Sequence, residues 1–202
     1  MKQKIIAIMG PSGAGKDTVA NILSVAMNIP LLCSFTTRPM RDGEVNGKEH
    51  FFVKECKTPK EKMLAYTEYG GYEYWTELDQ VKDAAIYVID ERGFLGICEH
   101  FPDIELISIY VAAKPETLKA RGIAPERTNR DEYRVSLDIN SFDYVISNNL
   151  SLYRLLTNTL NVKRCIQAAS RETSKHEDEA EERLKKGVLA AKNLIRILSA
   201  FY

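Results

Sequence analysis

Cysteine is scarce in this chain, and what there is makes no pattern. Cys33, Cys56, Cys98 and Cys165 stand among 202 residues without a CxxC pair. No His/Cys cluster has zinc-ligand spacing, which argues against a zinc ribbon or a disulfide-stapled scaffold and for reduced thiols. Charge of one sign is lacking too: Lys plus Arg and Asp plus Glu are each 28, so the formal net charge is zero. No global field draws nucleic acid or a membrane surface, and an anion site has to come from local placement of basic groups. Long apolar runs are missing. Ile5 to Met9 is too short for a signal-peptide core and breaks into Gly-Pro-Ser-Gly, and no stretch is long enough to cross a bilayer. Internal repeats and low-complexity tracts are absent as well. These absences leave an ordinary globular protein, expected in the cytoplasm, with one sizeable core.

What is present is an alternation. Short apolar runs at Ile5–Met9, Ala85–Ile89, Leu106–Val111 and Tyr144–Ser147 are bounded by Gly, Pro, Asp or Asn and read as buried parallel strands. Helix-like stretches lie between and after them: Lys16–Met27, Arg92–His100, Pro115–Arg121, Asn129–Leu137 and Leu150–Gln167. Pro115 suits a first helical turn, where its missing N–H has no partner to lose. Strand–helix alternation predicts an α/β domain with a mainly parallel sheet. The stretch from Ser34 to Asp79 breaks the rhythm, with glycines at 43, 47, 70 and 71, and predicts an inserted subdomain over about 34–80. An Arg-rich segment ending at Arg134 predicts a short lid within 113–134. The main domain is expected over 1–167. Residues 168–202 are expected to form a polar linker and a helical extension with apolar positions at 184, 188, 191, 195 and 198. That helix would pack on the domain, on a second copy in self-association, or on another protein.

Gly10-Pro11-Ser12-Gly13-Ala14-Gly15-Lys16-Asp17-Thr18 joins the first strand to the first helix. This is the setting of a phosphate-binding P-loop. Small residues let backbone N–H groups curl around phosphate oxygens, and the helix start adds unpaired N–H groups and a favourable dipole. Lys16 brings a mobile positive charge to the β- and γ-phosphates of ATP. The residue after the Lys is usually Ser or Thr, whose hydroxyl helps to hold Mg²⁺. Here it is Asp17, followed by Thr18, and both offer hard oxygens to the metal. Asp90 closes the run Ala85–Ile89. At the carboxyl end of a parallel strand it faces the ligand crevice, where a metal-organising or acceptor-binding carboxylate belongs, and it equally suits the N-cap of the next helix.

The second informative stretch runs from Ser34 through Thr36, Thr37, Arg38, Arg41, Gly43, Glu44, Gly47 and His50 to Phe52. Two arginines three apart, flanked by hydroxyls and a turn glycine, can fork onto a phosphate. Together with the P-loop, this stretch resembles the guanylate kinase family. It matches the pattern S-x-T-T-R-x-x-R-x-G-E-x-x-G-x-x-Y-x-F nearly throughout, and Phe142 to Asn149 is similar to the family's last strand. The resemblance covers about residues 4 to 165. It implies a P-loop kinase core, a lid and an acceptor subdomain, with Mg²⁺-dependent transfer of the ATP γ-phosphoryl to GMP or dGMP. It implies that Ser34, Arg38, Arg41 and Tyr74 hold the acceptor phosphate, that Arg38 neutralises charge during transfer, and that Thr76 lies near the base. It further implies that an arginine among Arg127, Arg130 and Arg134 clamps the transferring group, oriented by Asn148.

The chain departs from the family pattern in three places. His50 stands where an aromatic hydroxyl is expected, and can still donate to the acceptor phosphate. Trp75 replaces a small residue. Ala65 aligns with the Glu that reads the guanine edge, with Glu68 three residues away as a substitute if the loop is shifted. The related ribose 1,5-bisphosphate phosphokinases share the Gly-Lys-Asp loop and also lack that Glu, whereas the intact Thr37–Gly47 stretch is more similar to guanylate kinases. A non-catalytic guanylate-kinase-like binding module is the reading from another class. The intact P-loop weighs against it.

Overall fold

The structure is a computed structural model and describes residues 2–122, 135 and 137–172. Its contacts group the chain into two compact units, Met1–Leu160 and Asn161–Tyr202. The site residues that the structure describes lie in the first. Among the described residues, four strands form its core sheet: β1 (Lys4–Met9), β6 (Ala84–Val88), β7 (Glu105–Ala112) and β8 (Tyr144–Ser147), in the order β6-β1-β7-β8. All three pairings are parallel, with Ile6 opposite Ile86 and Ile107. β1 sits between two neighbours and is covered on both faces, so Ile5 to Met9 are wholly buried. This is why it reads as a continuous apolar run rather than an alternating one.

Helix α1 (Lys16–Met27) has the predicted bounds. It stops because Asn28 takes the left-handed conformation at φ 55° and its N–H returns to the Ser24 carbonyl. Helix α2 (Glu91–His100) starts where Asp90 accepts from the Gly93 N–H at 2.7 Å. Helix α3 (Pro115–Ala120) opens on proline and ends one residue before the predicted limit, with Arg121 as its cap. Helix α4 covers 152–172, so 168–172 is helical where a polar linker was expected. The helix expected at 129–137 falls mostly outside the described residues, and positions 135 and 137 carry no regular element. The lid arginines Arg127, Arg130 and Arg134 and the extension beyond 172 also lie outside them.

The insertion folds as a second sheet, β2 (Phe35–Thr36), β3 (Phe51–Phe52), β4 (Met63–Tyr69) and β5 (Tyr72–Glu77), in the order β3-β2-β5-β4. β4 and β5 are a hairpin closed by Gly70 and Gly71 at φ 59° and 77°, the two-residue turn that needs positive φ twice. Pairing runs from Tyr69–Tyr72 through Glu68–Glu73 and Tyr66–Trp75 to Ala65–Thr76, then slips at Leu64. The two sheets meet where buried Thr76 shares a 2.6 Å hydrogen bond with the Tyr87 hydroxyl of β6. Among the described residues no helix is long and apolar enough to cross a membrane.

Candidate functional site

Parallel strands send their carboxyl ends to one edge of the core sheet, where open α/β sheets bind ligands. Met9 leads there into the glycine loop, Val88 towards Asp90, Ala112 towards Lys114, and Ser147 into Asn148. The loop is pressed close to its neighbours. A Cβ on Gly10 (φ +139°) would meet the Val111 carbonyl oxygen at 2.4 Å, and one on Gly15 (φ +96°) would meet Asn148 Nδ2 at 2.5 Å. Only glycine fits at either point.

Asn148 holds this loop from below. It is buried, and its Nδ2 donates to the Ala14 carbonyl at 2.8 Å. Its own N–H donates to Ala112 O at 2.8 Å, which fixes it at the end of β8. Arg121, exposed at the end of α3, donates to Gly13 O at 2.7 Å and to Asn148 O at 2.9 Å. Lys16 Nζ donates to the Gly10 and Pro11 carbonyls at 2.8 and 3.0 Å. Two cations therefore converge on a loop whose N–H groups are suited to phosphate. Ser12 and Ala14 are buried within it. Asp17 and Thr18 are exposed at the loop exit. As oxygen donors beside a phosphate loop they fit Mg²⁺, which takes one or two protein oxygens and keeps water and substrate oxygens for the rest.

The second sheet carries the other predicted group. Alternation puts Thr36, Phe52, Tyr74, Thr76 and Ala65 on one face, paired as Thr36–Phe52, Thr36–Tyr74 and Ala65–Thr76. Arg38 lies over the Phe52 ring, 5.3 Å from its centre, and is 7% exposed. Its Nη2 donates to both Glu44 carboxylate oxygens at 2.8 and 3.0 Å, and its Nη1 to Pro39 O at 2.7 Å. Glu44 also accepts from the Arg41 N–H at 2.8 Å, so one carboxylate ties both arginine positions together. The Arg38 guanidinium in turn holds the Glu44 carboxyl below the usual carboxylate range. The Arg41 side chain is exposed. Ser34 Oγ lies 2.8 Å from His50 Nδ1, and the His50 ring meets Phe52 and Tyr74 edge-on, each at 5.8 Å. Ser34, Arg38, His50 and Tyr74 are thus one cluster.

Two predicted acceptor residues have other engagements. Thr76 is wholly enclosed with its hydroxyl on Tyr87, and burial pushes the Tyr87 phenol up to about 12. Asp90 Oδ1 caps α2, so of the two roles read from sequence the capping one is made in the fold. The reverse face of this sheet stacks Phe51, Phe35 and Trp75 and borders a groove of about 390 Å³. None of the predicted site residues lines that groove.

A family profile described as guanylate kinase matches residues 2–97. A guanylate kinase of Prochlorococcus marinus is 32% identical over 167 residues, covering 73% of this chain and 90% of its own. One from Halalkalibacterium halodurans is 31% identical, covering 73% and 81%. This chain belongs to the guanylate kinase family. A solved guanylate kinase of Anaplasma phagocytophilum, at 24% identity, has the same fold, with a TM-score of 0.59 over 83% of this chain and 86% of that one.

Against the family pattern, the hairpin register removes the substitute considered for the missing acid. Glu68 pairs with Glu73, on the face opposite Ala65 and Thr76, and its carboxylate accepts from the Tyr66 hydroxyl at 2.5 Å. Glu68 therefore cannot stand in for an acid at Ala65 without turning the strand over. The Gly70-Gly71 turn was the available signal, because a two-residue loop fixes which residues share a face. Sequence reasoning also gave no role to Glu44, Arg121 or Tyr87. Glu44 was legible only as part of a pattern. Arg121 closes a predicted helix, and nothing local says that its side chain reaches a loop more than a hundred positions earlier.

Proposed function

We propose that this protein transfers the γ-phosphoryl group of ATP to a nucleoside monophosphate, GMP or dGMP, giving ADP and GDP or dGDP. The observation that carries the reading is the presence in one unit of two groups of residues suited to anions. The P-loop with Lys16 and Arg121 suits a triphosphate, and the Ser34–Arg38–His50–Tyr74 cluster suits an acceptor phosphate. Family membership supports the same chemistry. In this reading the loop N–H groups and Lys16 hold the β- and γ-phosphates, and Lys16 exchanges a loop carbonyl for a phosphate oxygen by a short swing. Glu44 preorganises Arg38, whose remaining N–H donors fork onto the acceptor phosphate. The acceptor phosphate is already a nucleophilic anion, so no general base is required. The protein's task is alignment, charge neutralisation and exclusion of water. Asp17, Thr18 or both would hold magnesium with ATP, and the metal would supply further neutralisation of the phosphate charge. One of Arg127, Arg130 and Arg134 is the remaining candidate clamp, and the cytoplasm is the expected compartment.

The test is ADP release from MgATP with GMP, dGMP, AMP, UMP, CMP, dTMP and ribose 1,5-bisphosphate offered separately. Turnover confined to GMP and dGMP supports the assignment. Preference for ribose 1,5-bisphosphate overturns the choice of acceptor while leaving the phosphotransferase reading standing. No transfer to any acceptor by folded protein removes the enzymatic reading.

A further inference from the structure

His50 stands in the acceptor cluster where a non-titrating hydroxyl would serve as a plain donor, and its partner is another donor. Ser34 Oγ and His50 Nδ1 lie 2.8 Å apart in a part-buried contact. A neutral imidazole has one N–H and one bare nitrogen. If Nδ1 is bare, it accepts a hydrogen bond from the serine O–H, and Ser34 turns a lone pair toward any incoming phosphate. If Nδ1 carries the proton, Ser34 is released as a donor, but Nε2 is then bare and presents a lone pair. In neither neutral form do both groups donate to an anion. An imidazolium resolves this. Nδ1–H donates to Ser34 Oγ, the serine O–H is released to the phosphate, and Nε2–H becomes a second donor carrying positive charge.

We propose that His50 takes up one proton from solvent as the acceptor phosphate binds, and that this uptake is what makes Ser34 a phosphate donor. The inference rests on the acceptor reading of the Ser34–Arg38–Tyr74 cluster. The surroundings keep the ring neutral until an anion arrives. Burial lowers its proton affinity first, and the Arg38 guanidinium lowers it further. Glu44, Glu49 and a hydrogen bond from the ring to the Ser34 backbone oppose this, but both carboxylates are engaged. Glu44 is bound by Arg38, and Glu49 accepts from the Val45 N–H at 2.7 Å with Lys48 at 3.7 Å. Phe52 and Tyr74 meet the ring at steep angles. An incoming dianion neutralises Arg38, sits against His50 and raises its affinity for a proton.

Linkage gives the sign. Acceptor affinity is flat below the ring's pKa in the free protein and falls up to tenfold per pH unit above it. It levels off again past the pKa of the bound form. The acceptor's own phosphate ionises near pH 6, so above pH 7 any proton taken up belongs to the protein. The experiment is calorimetric titration of the full chain with GMP at pH 7.5, in two buffers of different ionisation enthalpy. It is accompanied by the His50 imidazole signals in NMR, assigned through His50→Gln. The expected result is uptake approaching one proton, together with an upward-shifted His50 titration in the GMP complex. His50→Tyr should bind GMP with no proton uptake and with an affinity flat from pH 7 to 9. Melting curves of both variants show whether they fold, and His50→Tyr carries the comparison if His50→Gln does not. GMP binding by the unmodified chain with the same enthalpy in both buffers and an unmoved His50 titration overturns the inference alone. No GMP binding at any pH overturns the acceptor reading along with it.

Discussion

Asn148 is the side chain on which the phosphate loop rests, and its removal has a cost that follows from the structure. The carbonyl of Ala14 loses its 2.8 Å donor inside a buried site when Asn148 becomes Ala. An unsatisfied buried acceptor costs about 1–3 kcal/mol. For a chain near two hundred residues each kcal/mol lowers Tm by roughly 2–4 °C, so Asn148→Ala should melt about 2–12 °C below the parent. Asn148→Asp separates the structural part from the electrostatic one. Its shape is nearly the same, but an oxygen now faces the Ala14 oxygen, and a negative charge sits beneath the loop. A like charge held within about 8 Å of a phosphate costs roughly 2 kcal/mol at an effective dielectric near 20. That corresponds to a rise in KM for ATP of at least about tenfold. The acceptor KM should move less than about twofold, because Asn148 touches the P-loop and Arg121 rather than the Arg38 cluster. Thermal unfolding by circular dichroism and initial rates at varied ATP and varied acceptor read these quantities. Parent-like Tm and parent-like KM for ATP in both variants would refute the claim that Asn148 supports the loop.

Four further outcomes follow from individual positions. Gly10→Ala should cost on the order of 2–4 kcal/mol in urea unfolding, because its Cβ would stand 2.4 Å from a backbone oxygen at φ +139°. Gly96→Ala in α2, with open space at its Cβ, should instead gain roughly 0.5–1 kcal/mol. The Glu44 carboxyl is lowered by Arg38, so its stabilisation is present above the ordinary carboxylate range and is lost as pH falls through the lowered value. Glu44→Gln should remove that acid limb from a stability-against-pH profile and raise the acceptor KM. Ala65→Glu places a carboxylate on the face that carries Thr76 and Tyr74. If guanine lies there, its KM for GMP should fall by roughly tenfold or more relative to AMP, the worth of a charged hydrogen bond. An unchanged GMP-to-AMP ratio would place the base elsewhere.

The sequence by itself determined the features that are local in the chain. The strand–glycine loop–lysine–helix run, the apolar strands of the core sheet, the limits of α1 and the Gly-Gly hairpin turn each follow from period and backbone preference over a few residues. The Ser34–Phe52 stretch was recognisable because its residues are consecutive. The tertiary structure decided what depends on facing and on long separations. Asn148 reaches Ala14 only because β8 joins the sheet edge at which β1 ends. Arg121 reaches the loop from the far end of α3. Glu68, near Ala65 in sequence, is on the other face because strand alternation and hairpin register assign faces that spacing alone does not. The Ser34–His50 pair arises because β3 lies beside β2, bringing together two polar residues sixteen positions apart. Local preferences act over a turn or a pleat, whereas the partners of a functional side chain are chosen by how the sheets close.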